Sequence, residues 1–225
     1  MKTAFVKTLP VMAGYMVLGF GFGIISEKSG YGILWVLAMS SFIYAGSMQY
    51  VAVSLLTSGA TLIATALTTL MVNARHLFYG ISMIEPYKKA GKAKPYLIFG
   101  LTDETYSLVC NGKAPEGMDF HKYSLYVTVF NQIYWVVGSA LGALAGTLIT
   151  FNTAGVEFAM TALFITVFVE QWKSTKNHIP AIVGVVSSVL CLIIFGSNNF
   201  LIPSMLMISN ILTLGRNIIE KKGEL

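Results

Sequence analysis

The chain has 225 residues, of which 55% are hydrophobic and 11% charged, with a net charge of +5 and a mean hydropathy of +0.70. Soluble domains carry about 25% charged residues, so this deficit excludes an ordinary soluble domain and predicts an all-α polytopic integral membrane protein, one transporter-sized domain over residues 1–225. The basic residues gather between apolar segments rather than along one face, which assigns them to cytoplasmic loops and argues against a nucleic-acid partner.

The first apolar run imitates a signal peptide behind Lys2 and Lys7, but it continues to Ile25 without a small-residue cleavage site and reads as a retained span near 9–26. Gly14, Gly19, Gly21 and Gly23 punctuate it and would let another backbone approach. The segment near 33–56 carries Ser40-Ser-Phe-Ile-Tyr-Ala-Gly-Ser-Met-Gln-Tyr50, small and polar residues where a plain span would have leucines. The span near 60–84 follows, and the loop beyond it holds Lys88, Lys89, Lys92 and Lys94, the strongest cytoplasmic marker in the chain.

Three full crossings from a cytoplasmic N-terminus would put those lysines outside. A broken or re-entrant element near 33–56 returns them to the cytoplasm, and unwound backbone of that kind lies at transporter substrate sites. The segment near 96–110 is too short for an ordinary span and contains Asp103 and Glu104, so it reads as a second broken element, opening from the inside. The mixed-charge loop from Asn111 to Lys122 is then cytoplasmic. Spans near 124–149, 157–172, 179–195 and 199–215 complete six full helices with both termini cytoplasmic. No internal sequence repeat is visible, although two interrupted elements on opposite sides suit an inverted-repeat transporter. Gly138, Gly142 and Gly146 form a small-residue stripe for helix packing, within the chain or against a partner. Cys110 and Cys191, both in apolar surroundings, predict neither a disulfide framework nor a metal site.

Between Ser29 and Ile84 the single formally charged residue is Arg75. On a helix, Thr65, Thr69, Asn73, His76 and Gly80 share a face, while Thr68, Arg75, Tyr79 and Ser82 line the neighbouring strip. An arginine in hydrocarbon costs about 2.5 kcal/mol or more, so it faces a cavity or other helices by default. Snorkelling to the surface is the alternative, since roughly 14 Å of helix rise separates Arg75 from Ile84. It leaves Asn73 and His76 unexplained.

Ala45-Gly-Ser-Met-Gln-Tyr50 resembles the Ala-Gly-Ser-x-Gln-Phe stretch of the AzlC-type branched-chain amino-acid exporters. Asn73-Ala-Arg-His-Leu-Phe-Tyr-Gly80 is similar to their Asn-x-Arg-His-x-x-Tyr-Gly, and Leu101-Thr-Asp-Glu104 to their Leu-Thr-Asp-Glu. Gly155-Val-Glu-Phe-Ala159 resembles a family stretch with aspartate where this chain has Glu157. The ordered set covers nearly the whole chain. The resemblance implies a bacterial inner-membrane permease that exports isoleucine, leucine, valine and sometimes methionine, working with a small AzlD-type membrane subunit.

A zwitterionic amino acid needs three surfaces. Arg75 can take the carboxylate through its donor fork, with backbone N–H groups near Gly46 and Ser47 adding to it and Ser47, Gln49 and Asn73 completing the hydrogen bonds. Asp103, Glu104 and Glu157 are the anions that can face the ammonium. Phe42, Tyr50 and Phe78 are candidate linings for the side chain, where one methylene is worth about 1–3 kcal/mol and selectivity among branched residues is weak. No nucleotide-binding loop or cofactor motif is present, so a secondary mechanism is expected, with protons as coupling ion and His76 or the Asp103/Glu104 pair as carriers. Each of these also has a plain reading: His76 as an interhelical hydrogen bonder, Asp103 and Glu104 as loop caps, Glu157 as a helix N-terminal charge. An intramembrane enzyme or a channel are the rival classes. The chain holds no zinc-protease pair or nucleophile elbow, and saturable counterflow separates a carrier from a channel.

Overall fold

The computed structural model describes residues 1–115, 117–148, 165, 168–169, 172–173, 177–196 and 200–215. Among them every regular element is helical. The chain divides into two compact units, Met1–Met160 and Thr161–Leu225. All elements that build the candidate site belong to the first.

Two long helices form its frame, α1 (Lys2–Lys28) and α8 (Phe120–Leu148), each long and apolar enough to cross a membrane. They run parallel. The Phe5 ring meets Phe130 at 5.7 Å, Thr8 lies 3.2 Å from the Tyr134 hydroxyl, and Tyr15 packs edge-on to Trp135 at 5.4 Å. Further along, a Cβ on Gly138 would stand 3.0 Å from the Met16 carbonyl oxygen, one on Gly142 would strike the Phe20 backbone, and one on Gly146 would meet Glu27. On α1, Gly19 and Gly23 answer with backbone contacts to Ser139 and Ala143. The glycine stripe therefore packs within the chain, where missing side chains let two backbones touch and gain dispersion contacts. Gly14, by contrast, faces no neighbour and Gly21 meets the Tyr50 hydroxyl.

Beyond the turn at Gly30, α2 (Ile33–Ala38) descends beside α8 and continues as a π-helical turn over Met39–Ile43. Tyr44 then adopts a left-handed conformation, φ 46°, which for a residue with a Cβ costs about 1–2 kcal/mol. After Ala45 the chain resumes as α3 (Gly46–Thr57). Gly46 starts against the Trp135 ring, and by Tyr50 the helix has moved back along α1, its hydroxyl donating to Leu18 O at 2.6 Å and its ring beside Phe22. Residues 33–57 thus form a helical hairpin that enters from the C-terminal end of α1 and returns there.

The return strut reaches the other end in two pieces. The sequence predicts one helix near 60–84, whereas α4 (Leu62–Val72) and α5 (Ala74–Ser82) are separated at Asn73, φ −94° and ψ 3°. The His76 N–H turns to Asn73 O at 2.9 Å, and the imidazole Nδ1 lies 3.3 Å from the same oxygen. Asparagine is among the weaker helix formers, which suits a break at this position.

At the basic end, Met83 and Tyr87 are buried with Ala4, Leu97, Val109 and Tyr123. From there α6 (Lys94–Phe99) climbs until Gly100 abuts Thr128, and α7 (Asp103–Val109) returns to the same cluster. Thr102 caps α7, its Oγ1 accepting from Thr105 N at 3.3 Å. Residues 94–109 form a second hairpin, entering from the end opposite to the first. The N-terminus of α1, the four-lysine loop and the loop before α8 all lie at this one end, where Asp119 accepts from Lys122 N at 3.0 Å in the manner of a cap.

The second unit contains α9 (Ile179–Phe195) and α10 (Leu201–Leu214), joined by a contact of 3.9 Å between Cys191 Sγ and Met207 Sδ. Cys110 and Cys191 are both free thiols. Most of the predicted span near 157–172, including Glu157, lies outside the described residues, as do the basic residues at 216–222.

Candidate functional site

Three interruptions converge in the first unit: the left-handed Tyr44 at one hairpin tip, Asn73 between α4 and α5, and Gly100–Thr102 at the other tip. A cavity of about 220 Å³ opens among them, lined by Tyr44, Asn73, His76 and Thr102 on its polar side and Ile43, Ile98, Phe99 and Leu101 on its apolar side. Interrupted helices suit such a place because backbone freed from helical bonds can be satisfied only by protein or by cavity contents.

The two polar strips read from the sequence diverge as their spacing predicts. Asn73, His76 and Gly80 line the cavity together. Arg75, Tyr79 and Ser82 turn instead to the second hairpin. Arg75 Nη2 donates to Ser47 Oγ at 2.6 Å and lies 3.1 Å from Asp103 Oδ2, so one guanidinium joins the first turns of α3 and α7. The Tyr79 hydroxyl donates to Asp103 Oδ1 at 2.7 Å, its ring stacks on Tyr106 at 4.4 Å, and the Ser82 hydroxyl donates to Tyr106 at 3.1 Å. Arg75 borders the cavity without lining it. Its side chain keeps 35% of its surface exposed, and its Nε is buried with no partner among the described residues. With Nη2 held by the protein, Nε is left as a charged donor for an anion.

Asn73 offers the complement. Its Oδ1 is likewise buried without a hydrogen-bond partner, and the group lies on the cavity wall. An unpaired buried amide oxygen costs about 1–3 kcal/mol, a cost that a donor from a bound molecule removes.

The remaining predicted residues separate. Gly46 places no side chain against the Trp135 ring, so the tip can close on α8. Gln49 is fully buried, donating to Ser40 Oγ at 3.3 Å and accepting from Trp135 Nε1 at 2.9 Å, and it braces the first hairpin away from the cavity lining. Asp103 is engaged by Arg75 and Tyr79. Glu104 Oε2 accepts from the Tyr15 hydroxyl at 2.5 Å, and that hydroxyl lies 2.7 Å from Thr102 Oγ1. Phe42 and Phe78 point away from the site, 81% and 70% exposed, and Tyr50 is committed to Leu18, so none of the three lines the cavity. The linings at Ile43, Ile98, Phe99 and Leu101 carried no sequence signal beyond their position next to the predicted breaks. Tyr15, which reaches the site from α1, carried none. Among the described residues no group of three or more His, Cys, Asp and Glu side chains could hold a metal ion.

Comparison with known proteins bears out the family resemblance. The family model described as AzlC protein matches residues 10–149. The branched-chain amino acid transport protein AzlC of Bacillus subtilis (strain 168) is 44% identical over 220 residues, covering 98% of this chain and 87% of that protein. An uncharacterized membrane protein of Haemophilus influenzae is 41% identical over 224 residues, 99% of this chain and 92% of its own. The inner membrane protein YgaZ of Escherichia coli (strain K12) is 29% identical over 195 residues, 81% of this chain and 78% of its own. No solved structure matches the chain.

Proposed function

Because the chain belongs to the AzlC family, we propose that it is the large subunit of a secondary transporter that exports branched-chain amino acids across the cytoplasmic membrane, exchanging them for protons. The observation that carries this reading is the pair of orphaned groups at the α4–α5 break, Arg75 Nε and Asn73 Oδ1, beside a cavity with an apolar wall. The substrate carboxylate docks on the Arg75 fork, the ammonium donates to Asn73 Oδ1, and the branched side chain rests on Ile43, Ile98, Phe99 and Leu101.

The volume supports a small solute, since drug-sized ligands occupy clefts of roughly 300–1,000 Å³ and this cavity is below that range. An apolar wall without polar features accepts isoleucine, leucine, valine and methionine with differences of only about 1–3 kcal/mol. The transport name of the Bacillus relative supports the substrate class. Export, the proton and a small AzlD-type partner subunit extend that reading. The basic end described above, holding the N-terminus and the four-lysine loop, is assigned to the cytoplasm by its charge. The two hairpins then enter from opposite faces and meet at the substrate, an arrangement suited to alternating access.

Efflux of labelled isoleucine from cells preloaded with an isoleucine-containing dipeptide tests the proposal. Faster efflux from cells making the chain with its partner than from cells making neither is expected. Equal efflux, with both proteins present in the membrane, removes the amino-acid assignment.

A further inference from the structure

The two neighbouring carboxylates at the second hairpin tip have different surroundings. Asp103 has a cation, Arg75, and a phenol, Tyr79. Glu104 has no cation among the described residues. What faces it is a set of hydroxyls: Tyr15 from α1, Tyr44 from the first hairpin tip, Thr102 on its own hairpin, with Tyr79 of α5 and Asp103 as the other titratable neighbours. From α8 comes a neutral group, Asn131, which donates to Thr105 Oγ1 at 3.0 Å. The His76 imidazole is turned to Asn73 O.

The Tyr15 hydroxyl is placed to serve Glu104 in both of its states. With Glu104 ionised, Tyr15 donates to Oε2 across 2.5 Å. With Glu104 protonated, the carboxylic O–H donates to the Tyr15 oxygen, and the phenolic proton turns to Thr102 Oγ1, 2.7 Å away. Thr102 can accept it, because its own proton goes to Thr105 Oγ1 at 3.1 Å. One hydroxyl rotation satisfies either form, with no movement of heavy atoms. Asp103 has no such alternative, since protonating it would strip Arg75 of its counter-ion.

We propose that Glu104 is the proton-binding carboxylate of the transport cycle, with Tyr15 and Thr102 as its positioning residues and Arg75–Asp103 reserved for the amino acid. This rests on the transport reading above. The step is acid–base only: Glu104 takes a proton from one side of the membrane and loses it to the other, and the amino acid crosses in the opposite half of the cycle.

The test uses the full chain with its partner in proteoliposomes that are acid inside. A gradient of one pH unit corresponds to about a tenfold isoleucine gradient at one-to-one exchange. Wild type is expected to accumulate isoleucine accordingly, whereas Glu104→Gln equilibrates it without accumulation. Accumulation by Glu104→Gln equal to wild type overturns the proposal. Infrared titration of the same proteins needs no substrate. Wild type should show a protonated carboxyl component with falling pH that is missing from Glu104→Gln and retained in Asp103→Asn; a carboxyl titration of Glu104→Gln identical to wild type overturns the assignment. Should Glu104→Gln fail to fold, Tyr15→Phe is expected to shift the midpoint of that band, and an unmoved midpoint contradicts the geometry. A wild type that shows the band but moves no isoleucine keeps Glu104 as the proton site and removes the substrate reading.

Discussion

Arg75 makes its contacts with residues 28 positions away on either side, Ser47 and Asp103. Its isolation in an apolar stretch singled it out, and the structure places its guanidinium between the first turns of α3 and α7. Asp103 illustrates what a sequence hides: it was a candidate for a substrate ammonium or a proton, with a loop cap as the plain alternative, and only the fold brings it to the guanidinium. Asp103→Asn leaves the Arg75 charge without its anion, and the expected outcome is loss of isoleucine efflux with the chain still present in the membrane. Asn73→Ala removes the proposed ammonium acceptor; a charge-assisted hydrogen bond contributes about 1.5–3 kcal/mol, so half-saturation for isoleucine should rise about tenfold or more. Outside the site, Asp119 is held below the usual carboxylate range by the Lys122 N–H, with a smaller contribution from His121. Its depressed value means that this cap supports α8 above the ordinary aspartate value of about 3.9 and loses that support as pH falls through its own lower value. Amide exchange at the start of α8 measured at acid and neutral pH reads this directly, and equal protection at both would contradict it.

Among the elements, the helix frame was the most legible part. The four-residue spacing of Gly138, Gly142 and Gly146 fixes a packing face whatever the partner, and the structure supplies α1 as that partner. The breaks were legible where small and polar residues displaced leucines, as in Ala45-Gly-Ser. The break at Asn73 was not, because the apolar pattern continues through it and the interruption comes from competition for one carbonyl, Asn73 O. Gly142→Leu tests the frame. Overpacking of a close contact costs about 1–3 kcal/mol, and here a backbone rather than a flexible side chain must move, so a clear fall in thermal stability of the purified protein is expected. Gly14→Leu, at a position facing no neighbour, serves as the control and should leave the melting temperature near wild type.

For the whole molecule, the charge asymmetry and the two hairpins describe one arrangement. Lysines at the N-terminus, in the loop before α6 and before α8 gather at one end, and each hairpin spans only part of the distance between ends. The sequence reached this through an argument about which loop must be inside. It could not show that the hairpin tips meet, because tip-to-tip contact depends on the parallel pairing of α1 and α8 that sets their depth. In a chain with Cys110 and Cys191 replaced, a cysteine at Lys92 should label from the cytoplasmic face and one at Ser58 from the opposite face. Labelling of both from the same face contradicts the hairpin arrangement.

In the proposed transporter the Arg75 guanidinium receives the amino-acid carboxylate, and equilibrium binding of isoleucine to the purified wild type and to Arg75→Lys reads that contact. Lysine keeps the positive charge and loses the planar fork, so the loss of one charge-assisted hydrogen bond, about 1.5–3 kcal/mol, should weaken binding about 10- to 100-fold. Equal affinity of the two proteins for isoleucine would remove Arg75 as the carboxylate site.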